Sequence, residues 1–277
     1  MAIKVYKPTT NGRRNMSVID YSVLSKVKPE KSLLRPKKST AGRNCHGRVT
    51  IRHRGGGVKR HYRIVDFKRV DKSGIPAKVN SIQYDPNRTS FIALLFYADG
   101  EKRYIIAPAG LKEGDEVICD VKTKVKTGNR MQLRNIPVGY PIYDLEMTPG
   151  KGSQVIRSAG SNGKVTSLDG EMAYVELPSK EIRMISKDCY ATIGVVSNSD
   201  HMNVKIGKAG RMRKMGRRPQ VLGKSMNAVD HPHGGGEGHS PIGMKAPKTP
   251  WGAPALGKRT RNRKKASSQF IISRRKK

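Results

Sequence analysis

The chain has 277 residues, with 56 Lys and Arg against 21 Asp and Glu and a formal net charge of +35, about one uncompensated positive charge per eight residues; such a chain repels itself until a polyanion neutralises it. Hydrophobic residues make up 35%, below the roughly 45–50% of ordinary globular proteins, and no apolar run approaches the ~18 residues of a membrane span. The first residues, Met1 to Lys7, lack the apolar stretch of a signal peptide, and Cys45, Cys119 and Cys189 are odd in number with no close pair, so a membrane protein, a secreted disulfide scaffold and an acidic disordered activator are excluded.

Along the chain the charge is uneven. Residues 1–60 hold 16 Lys and Arg against two acids and are predicted to form a basic N-terminal extension. Within it, Gly55-Gly56-Gly57 follows Arg52-His53-Arg54 and precedes Lys59-Arg60. The stretch lacks the Gly-Lys-Ser/Thr end of a nucleotide-binding phosphate loop. It fits backbone lying close to a phosphate chain, because glycine N–H groups can approach the oxygens unhindered. The plainer reading is a flexible turn.

Residues 61–205 are nearly balanced, with 21 Lys and Arg against 17 acids. Short β-rich runs at 61–66, 78–84, 90–97 and 101–107 predict strands, with Asp99-Gly100 as a hairpin turn. Further strands are expected at 141–147, 153–158, 164–168, 171–177, 181–186 and 192–196, with Asp169-Gly170 as a second hairpin turn. Strands this short and frequent suggest small barrels. A single barrel of ~60–80 residues leaves half the segment unused, so two are expected, over about 61–125 and 126–200. Cys119 and Cys189 are expected as small buried hydrophobes, and the adjacent Cys45-His46 is poor geometry for zinc. No metal and no cofactor is expected.

The remainder, 201–277, is read as a basic, Gly/Pro-rich C-terminal extension. From residue 206 onward it has 19 Lys and Arg, two acids, 11 Gly and six Pro, but only nine Leu, Ile, Val or Phe. That composition cannot offset the entropy of ordering the backbone, so the segment is expected to fold on a partner. Its most singular stretch is Asn227-Ala-Val-Asp-His-Pro-His-Gly-Gly-Gly-Glu-Gly-His239. Asp230, His231, His233 and Glu237 could be read as a general-base constellation. Against that, Pro232 fixes the chain and three glycines follow, which describes a threaded backbone rather than a walled pocket. Trp251, in Thr249-Pro-Trp-Gly-Ala-Pro254, is read as a stacking residue in an extended segment, or as a local staple against proline.

The stretches Tyr6-Lys-Pro-Thr-Thr-Asn-Gly-Arg-Arg14, Arg54-Gly-Gly-Gly-Val-Lys-Arg60, Tyr84-Asp-Pro-Asn-Arg88, Arg157-Ser-Ala-Gly160, Gly207-Lys-Ala-Gly-Arg211, Met226-Asn227 and Asp230-His-Pro-His-Gly-Gly-Gly-Glu-Gly238 together resemble the family of ribosomal protein number two of the large subunit, in its bacterial-type form. The resemblance spans essentially the whole chain. It implies an all-β protein, an OB-like barrel followed by an SH3-like barrel, with irregular basic extensions. It further implies a primary binder of large-subunit rRNA that supports subunit association, tRNA binding and the peptidyl transferase centre without being the catalyst. Implied surroundings are the cytoplasmic ribosome, small-subunit contacts at the subunit interface and other large-subunit proteins, with no membrane and no homo-oligomer.

Arg13, Arg14, Arg52, Arg54, Lys59, Arg60, Lys208, Arg211, Arg213, Arg217, Arg218, Arg259 and Arg261 are expected to meet phosphates, since arginine presents a planar fork to them. Gly55, Gly56, Gly57, His231, His233, Gly234, Gly235, Gly236 and Trp251 complete the expected RNA-binding set. Two rivals remain at this point: an RNA-modifying or acyl-transfer enzyme built on His231, and a DNA-compacting protein, for which no groove-reading helix is visible.

Overall fold

The computed structural model describes residues 3–262 and 264–274; Met1 and Ala2, part of the segment read for a leader, lie outside the described residues. The chain divides into two compact units. The first comprises Met1–Lys38, Lys59–Lys208 and Gln269–Lys277. It opens with a ribbon of β1 (Ile3–Val5) and β2 (Ser17–Ile19), then a second ribbon of β3 (Leu34–Lys37) and β4 (Arg60–Arg63). A four-stranded sheet follows, from β5 (Ala77–Gln83), β6 (Ile92–Tyr97), β7 (Lys102–Ile106) and β8 (Glu116–Val117), in the order β7-β6-β5-β8.

The later strands are β9 (Arg130–Gln132), β10 (Pro141–Tyr143), β11 (Leu145–Glu146), β12 (Ser153–Val155), β13 (Gly163–Asp169), β14 (Met172–Glu176), β15 (Ile182–Ser186), β16 (Tyr190–Ile193) and β17 (Ile271–Ser273). Seven of them form one antiparallel sheet in the order β17-β15-β14-β13-β10-β16-β9. β11 and β12 pair separately.

Both predicted hairpins are present. Tyr97 N–H donates to the Glu101 carbonyl at 3.0 Å, with Gly100 at φ +85°. Asp169 pairs with Met172 around Gly170, at φ +45°. β5 alternates buried Ala77 and Val79 with exposed Lys78 and Asn80, until a register shift before Ser81 buries Ser81, Ile82 and Gln83 in succession. The run 141–147 is two strands rather than one. Asp144 sits at φ +53° and splits it, a conformation that Asp tolerates better than most residues. Likewise the strand expected over 153–158 stops at Val155, because Ile156 lies at φ +57°.

Two apolar clusters hold this unit. One covers a face of the four-stranded sheet with Val79, Phe91, Leu95, Ile105 and Leu111, and includes Ile19 of β2. The other joins Ile92, Leu94, Tyr104 and Ile106 of that sheet to Met131, Ile142, Val165, Val175 and Ile193 of the larger one. Each fully buried aliphatic side chain contributes about 1.5–3 kcal/mol. Within the second cluster's sheet, Arg130 is fully buried. Its Nη1 donates to the Asp144 carbonyl at 2.7 Å and its Nη2 to Glu146 Oε1 at 3.2 Å, while Glu146 Oε2 accepts from the Tyr190 N–H at 3.1 Å. Cys119 and Cys189 are buried, as expected, and burial pushes the Cys189 thiol up to about 12.

The second unit comprises Ser39–Val58 and Ala209–Ser268. The stretch 1–60 therefore divides. Residues up to Lys38 belong with the sheets, and Ser39–Val58 leaves from the end of the β3–β4 ribbon, where Lys37 faces Arg60. The stretch 201–277 divides too. It leaves after Lys208 and returns to add β17 at the edge of the seven-stranded sheet, with Ile182 paired to Ser273 and Arg183 to Ile271. Among the described residues of the second unit a helix of six residues, α1 (Ala209–Lys214), is the longest regular element.

Candidate nucleic-acid interface

The second unit gathers most of the basic residues singled out in the sequence. The Ser39–Val58 loop lies antiparallel to the segment after α1: Arg54 bridges Arg217, Gly55 N–H donates to the Gly216 carbonyl at 2.9 Å, and Val58 N–H donates to the Lys214 carbonyl at 3.0 Å. His53, at φ +59°, closes the pairing: its Nδ1 donates to the Pro219 carbonyl at 2.9 Å and its own carbonyl accepts from Arg218 N–H at 3.0 Å. Glycine is required here by contact. A Cβ on Gly57 would stand 3.0 Å from Gly216 Cα, so two backbones touch where side chains cannot fit. Arg54, Arg213, Arg217 and Arg218 are exposed around this pairing, and the Arg213 guanidinium lies beside Gly56. Arg211 is half-buried.

The glycine–histidine segment folds on itself. Asp230 N–H donates to the Asn227 carbonyl at 3.0 Å, Gly234 N–H to the His231 carbonyl at 2.8 Å, and Gly235 N–H to the Met226 carbonyl at 3.0 Å. A Cβ on Gly234 would meet the Asn227 carbonyl oxygen at 2.1 Å. Gly235 and Gly236 take φ of +85° and +88°, so the run is needed for its conformation as well as for space. His231 is buried, with its ring against Gly223, and His233 is half-buried. Trp251 does not lie in an extended segment. Thr249 N–H donates to the Ala253 carbonyl at 2.7 Å and Lys248 bridges Pro254, which puts Trp251 at a hairpin tip, 80% exposed. The Arg52 guanidinium stands 5.3 Å from the centre of its ring, a cation–π distance. Arg259 and Arg261 are exposed, and Arg261 donates to Ser267 and Ser268 hydroxyls.

The other predicted residues sit on the first unit. Arg13 and Arg14 belong to the turn between β1 and β2, with Arg13 5.3 Å from the Tyr6 ring centre. Lys208 packs its stem on Gly12. Lys59 is exposed, whereas Arg60 is half-buried and donates through Nη1 to the Pro86 carbonyl at 2.7 Å. The sequence reading did not single out Arg88 and Arg157. Both guanidiniums lie against the Phe67 ring, 5.9 and 4.9 Å from its centre. Arg88 is fixed by a 2.5 Å bond to the fully buried Asp85, while Arg157 is exposed. Their signal was present in the stretches Tyr84–Arg88 and Arg157–Gly160, but nothing in the sequence brings the two together.

Residues 30–119 match the family model described as ribosomal proteins L2, RNA binding N-terminal domain, and residues 126–252 match ribosomal proteins L2, C-terminal domain. The chain belongs to the ribosomal protein L2 family. It is a structural, RNA-binding component of the large ribosomal subunit and not in itself a catalyst. The L2 domains make the four-stranded sheet part of an OB-like barrel and the seven-stranded sheet part of an SH3-like barrel, as the resemblance implied. The enzyme and DNA-compacting readings fall with that membership.

Proposed function

We propose that the chain is a primary binder of large-subunit rRNA whose second unit carries most of the phosphate contacts. The observation behind this is a mismatch between charge and core. The second unit has 18 Lys and Arg against two acids in 80 residues, and His231 is its only buried residue among those described. Self-repulsion on that scale is relieved by a polyanion. Arg52, Arg54, Arg213, Arg217, Arg218, Arg259 and Arg261 serve as phosphate contacts there, while Gly57 and Gly234 let the chain's own backbone segments pack closely and so hold those arginines in place. Trp251 stacks on an unpaired base, since every base offers a π-face. On the barrels, Arg13, Arg14, Lys59 and Lys208 make further phosphate contacts, and Arg88 and Arg157 add a paired contact across Phe67.

In this reading the protein acts in the cytoplasmic ribosome as a single copy. It touches the small subunit and other large-subunit proteins at the interface, and it supports subunit joining, tRNA binding and the peptidyl transferase centre by holding RNA in place. The test is reconstitution of large subunits with chain carrying Gln at Arg52, Arg54, Arg213 and Arg217. The expected result is poor incorporation and poor subunit joining. Particles that assemble and join normally would refute the assignment.

A further inference from the structure

In the second unit the buried group is polar, and its hydrogen bonds run in one direction. Lys248 N–H donates to His233 Nε2 at 2.9 Å, and His233 N–H donates to His231 Nδ1 at 3.0 Å. A backbone N–H can only donate, so each accepting ring nitrogen carries a lone pair. The proton of each neutral imidazole therefore sits on the other nitrogen. His231 has its proton on Nε2 and His233 on Nδ1, opposite tautomers two residues apart. The rings stand 4.8 Å apart at 55°. Gly223 leaves the space that the His231 ring fills, because a Cβ there would stand 2.5 Å from Cε1. Neither the Nε2–H of His231 nor the Nδ1–H of His233 has a partner among the described residues.

Resting on the rRNA-binding reading above, we propose that this histidine pair is a tautomer-locked donor site whose two free ring N–H groups take phosphodiester oxygens of the ribosomal RNA. A phosphate oxygen is the acceptor that fits, since the surrounding unit is strongly basic and a bond to an ionised acceptor is shorter and stronger than a neutral one. The pair adds donors without adding charge to a unit already crowded with cations. The lock also settles what His231 does not do: its one lone pair is engaged by the chain, so no nitrogen is left to take a proton from a substrate. Pro232 between them and the His233 N–H bond to His231 Nδ1 keep the two donors at fixed spacing.

Two measurements test this. In sedimented large subunits reconstituted with the full chain labelled at histidine nitrogen, solid-state 15N spectra report which nitrogen is protonated; His231→Asn and His233→Gln samples assign the signals. The expected result is a protonated Nε2 at position 231 and a protonated Nδ1 at 233. The same tautomer at both positions, or a mixture at either, overturns the lock. Competition binding to transcribed large-subunit rRNA then compares His231→Asn with His231→Gln. Asn can accept the His233 N–H two residues on, as in an Asx turn, but loses the distal donor. Gln keeps a distal donor and loses the near acceptor. We expect His231→Asn to bind about tenfold more weakly, the loss expected for one hydrogen bond to a charged group. Wild-type affinity in His231→Asn overturns the phosphate contact even if the tautomers are as drawn. Wild-type chain that fails to bind the rRNA at all sinks the RNA reading itself, a different result from either.

Discussion

The two units of this chain are held together by different physics. The barrel unit spreads 38 Lys and Arg and 19 acids over 197 residues and buries two apolar clusters, one of which runs through both barrels. The arm unit, with 18 Lys and Arg against two acids in 80 residues, has just over twice that density of net charge. It is organised by backbone hydrogen bonds, by glycines pressed against other backbone, and by one buried histidine. Hydrogen bonds exchange protein partners for water and give only about 0.5–1.5 kcal/mol each, so order of this kind depends on what else is bound. The barrel unit specifies its own fold; the arm unit specifies the shape in which it meets a polyanion.

If that contrast is right, salt should act overwhelmingly on the arms. Each neutralised phosphate contributes roughly 0.7–0.9 to the slope of log affinity against log salt. Replacing Arg52, Arg54, Arg213, Arg217, Arg218 and Arg259 together by Gln should lower the slope of rRNA binding by about four to five. A titration in which the slope is unchanged would place the binding charge elsewhere. Thermal unfolding of the same variant should stay within about 0.5 kcal/mol of wild type for each surface change.

The reverse pattern is expected in the barrels. Arg130→Met leaves Glu146 and the buried Asp144 without their cation, at a cost of about 3–5 kcal/mol. Ile142→Ala, at a fully buried position in the shared cluster, should cost about 2–5 kcal/mol. Denaturant melts of the full chain would show both, and either variant melting like wild type would mean that the barrels are not one cooperative unit. A smaller effect is expected at the arm pairing. Gly57→Leu cannot clear Gly216 and should strain that pairing by about 1–3 kcal/mol, seen as rRNA affinity lowered by roughly one decade with the barrel melt unmoved.

The smallest effect is a pH dependence inside the barrels. Burial raises the Asp144 carboxyl above the ordinary carboxylate range, although Arg130 opposes it. A raised pKa in the folded state means that the folded chain holds this proton more tightly than the unfolded chain does. Its contribution is therefore full below the ordinary value of about 3.9 and is lost as pH rises through the folded value. Asp144→Asn, which suits the left-handed backbone there, should lack that contribution. The stability difference, wild type minus variant, should fall as pH rises from 4 toward 7; a difference that stays flat would show that Arg130 cancels the burial.

Much of this was legible along the chain because the deciding signals are local. The Asp-Gly turns marked both hairpins, short β-rich runs marked strands such as β5, and charge and apolar content separated the barrels from what surrounds them. The resemblance carried the family, and with it the barrel types. Tertiary structure alone decided where the basic stretches belong. Ile19 of a basic segment completes a barrel core, β17 comes back from the far end of the chain to a sheet edge, and Ser39–Val58 finds the segment after α1 from more than 150 residues away. Short strands such as β8 and β9 carry too few residues to show a period, and they exist because a neighbouring edge needs hydrogen bonds. Asp144 and Ile156 end strands through backbone conformations that their side chains do not announce. Arg88 and Arg157 become a pair only when two barrels fold around Phe67, and the direction of the histidine hydrogen bonds depends on Lys248, which lies 15 residues beyond His233. Residue type fixes which groups can donate, accept or carry charge; only the folded chain decides which of those groups are already taken and which are left for RNA.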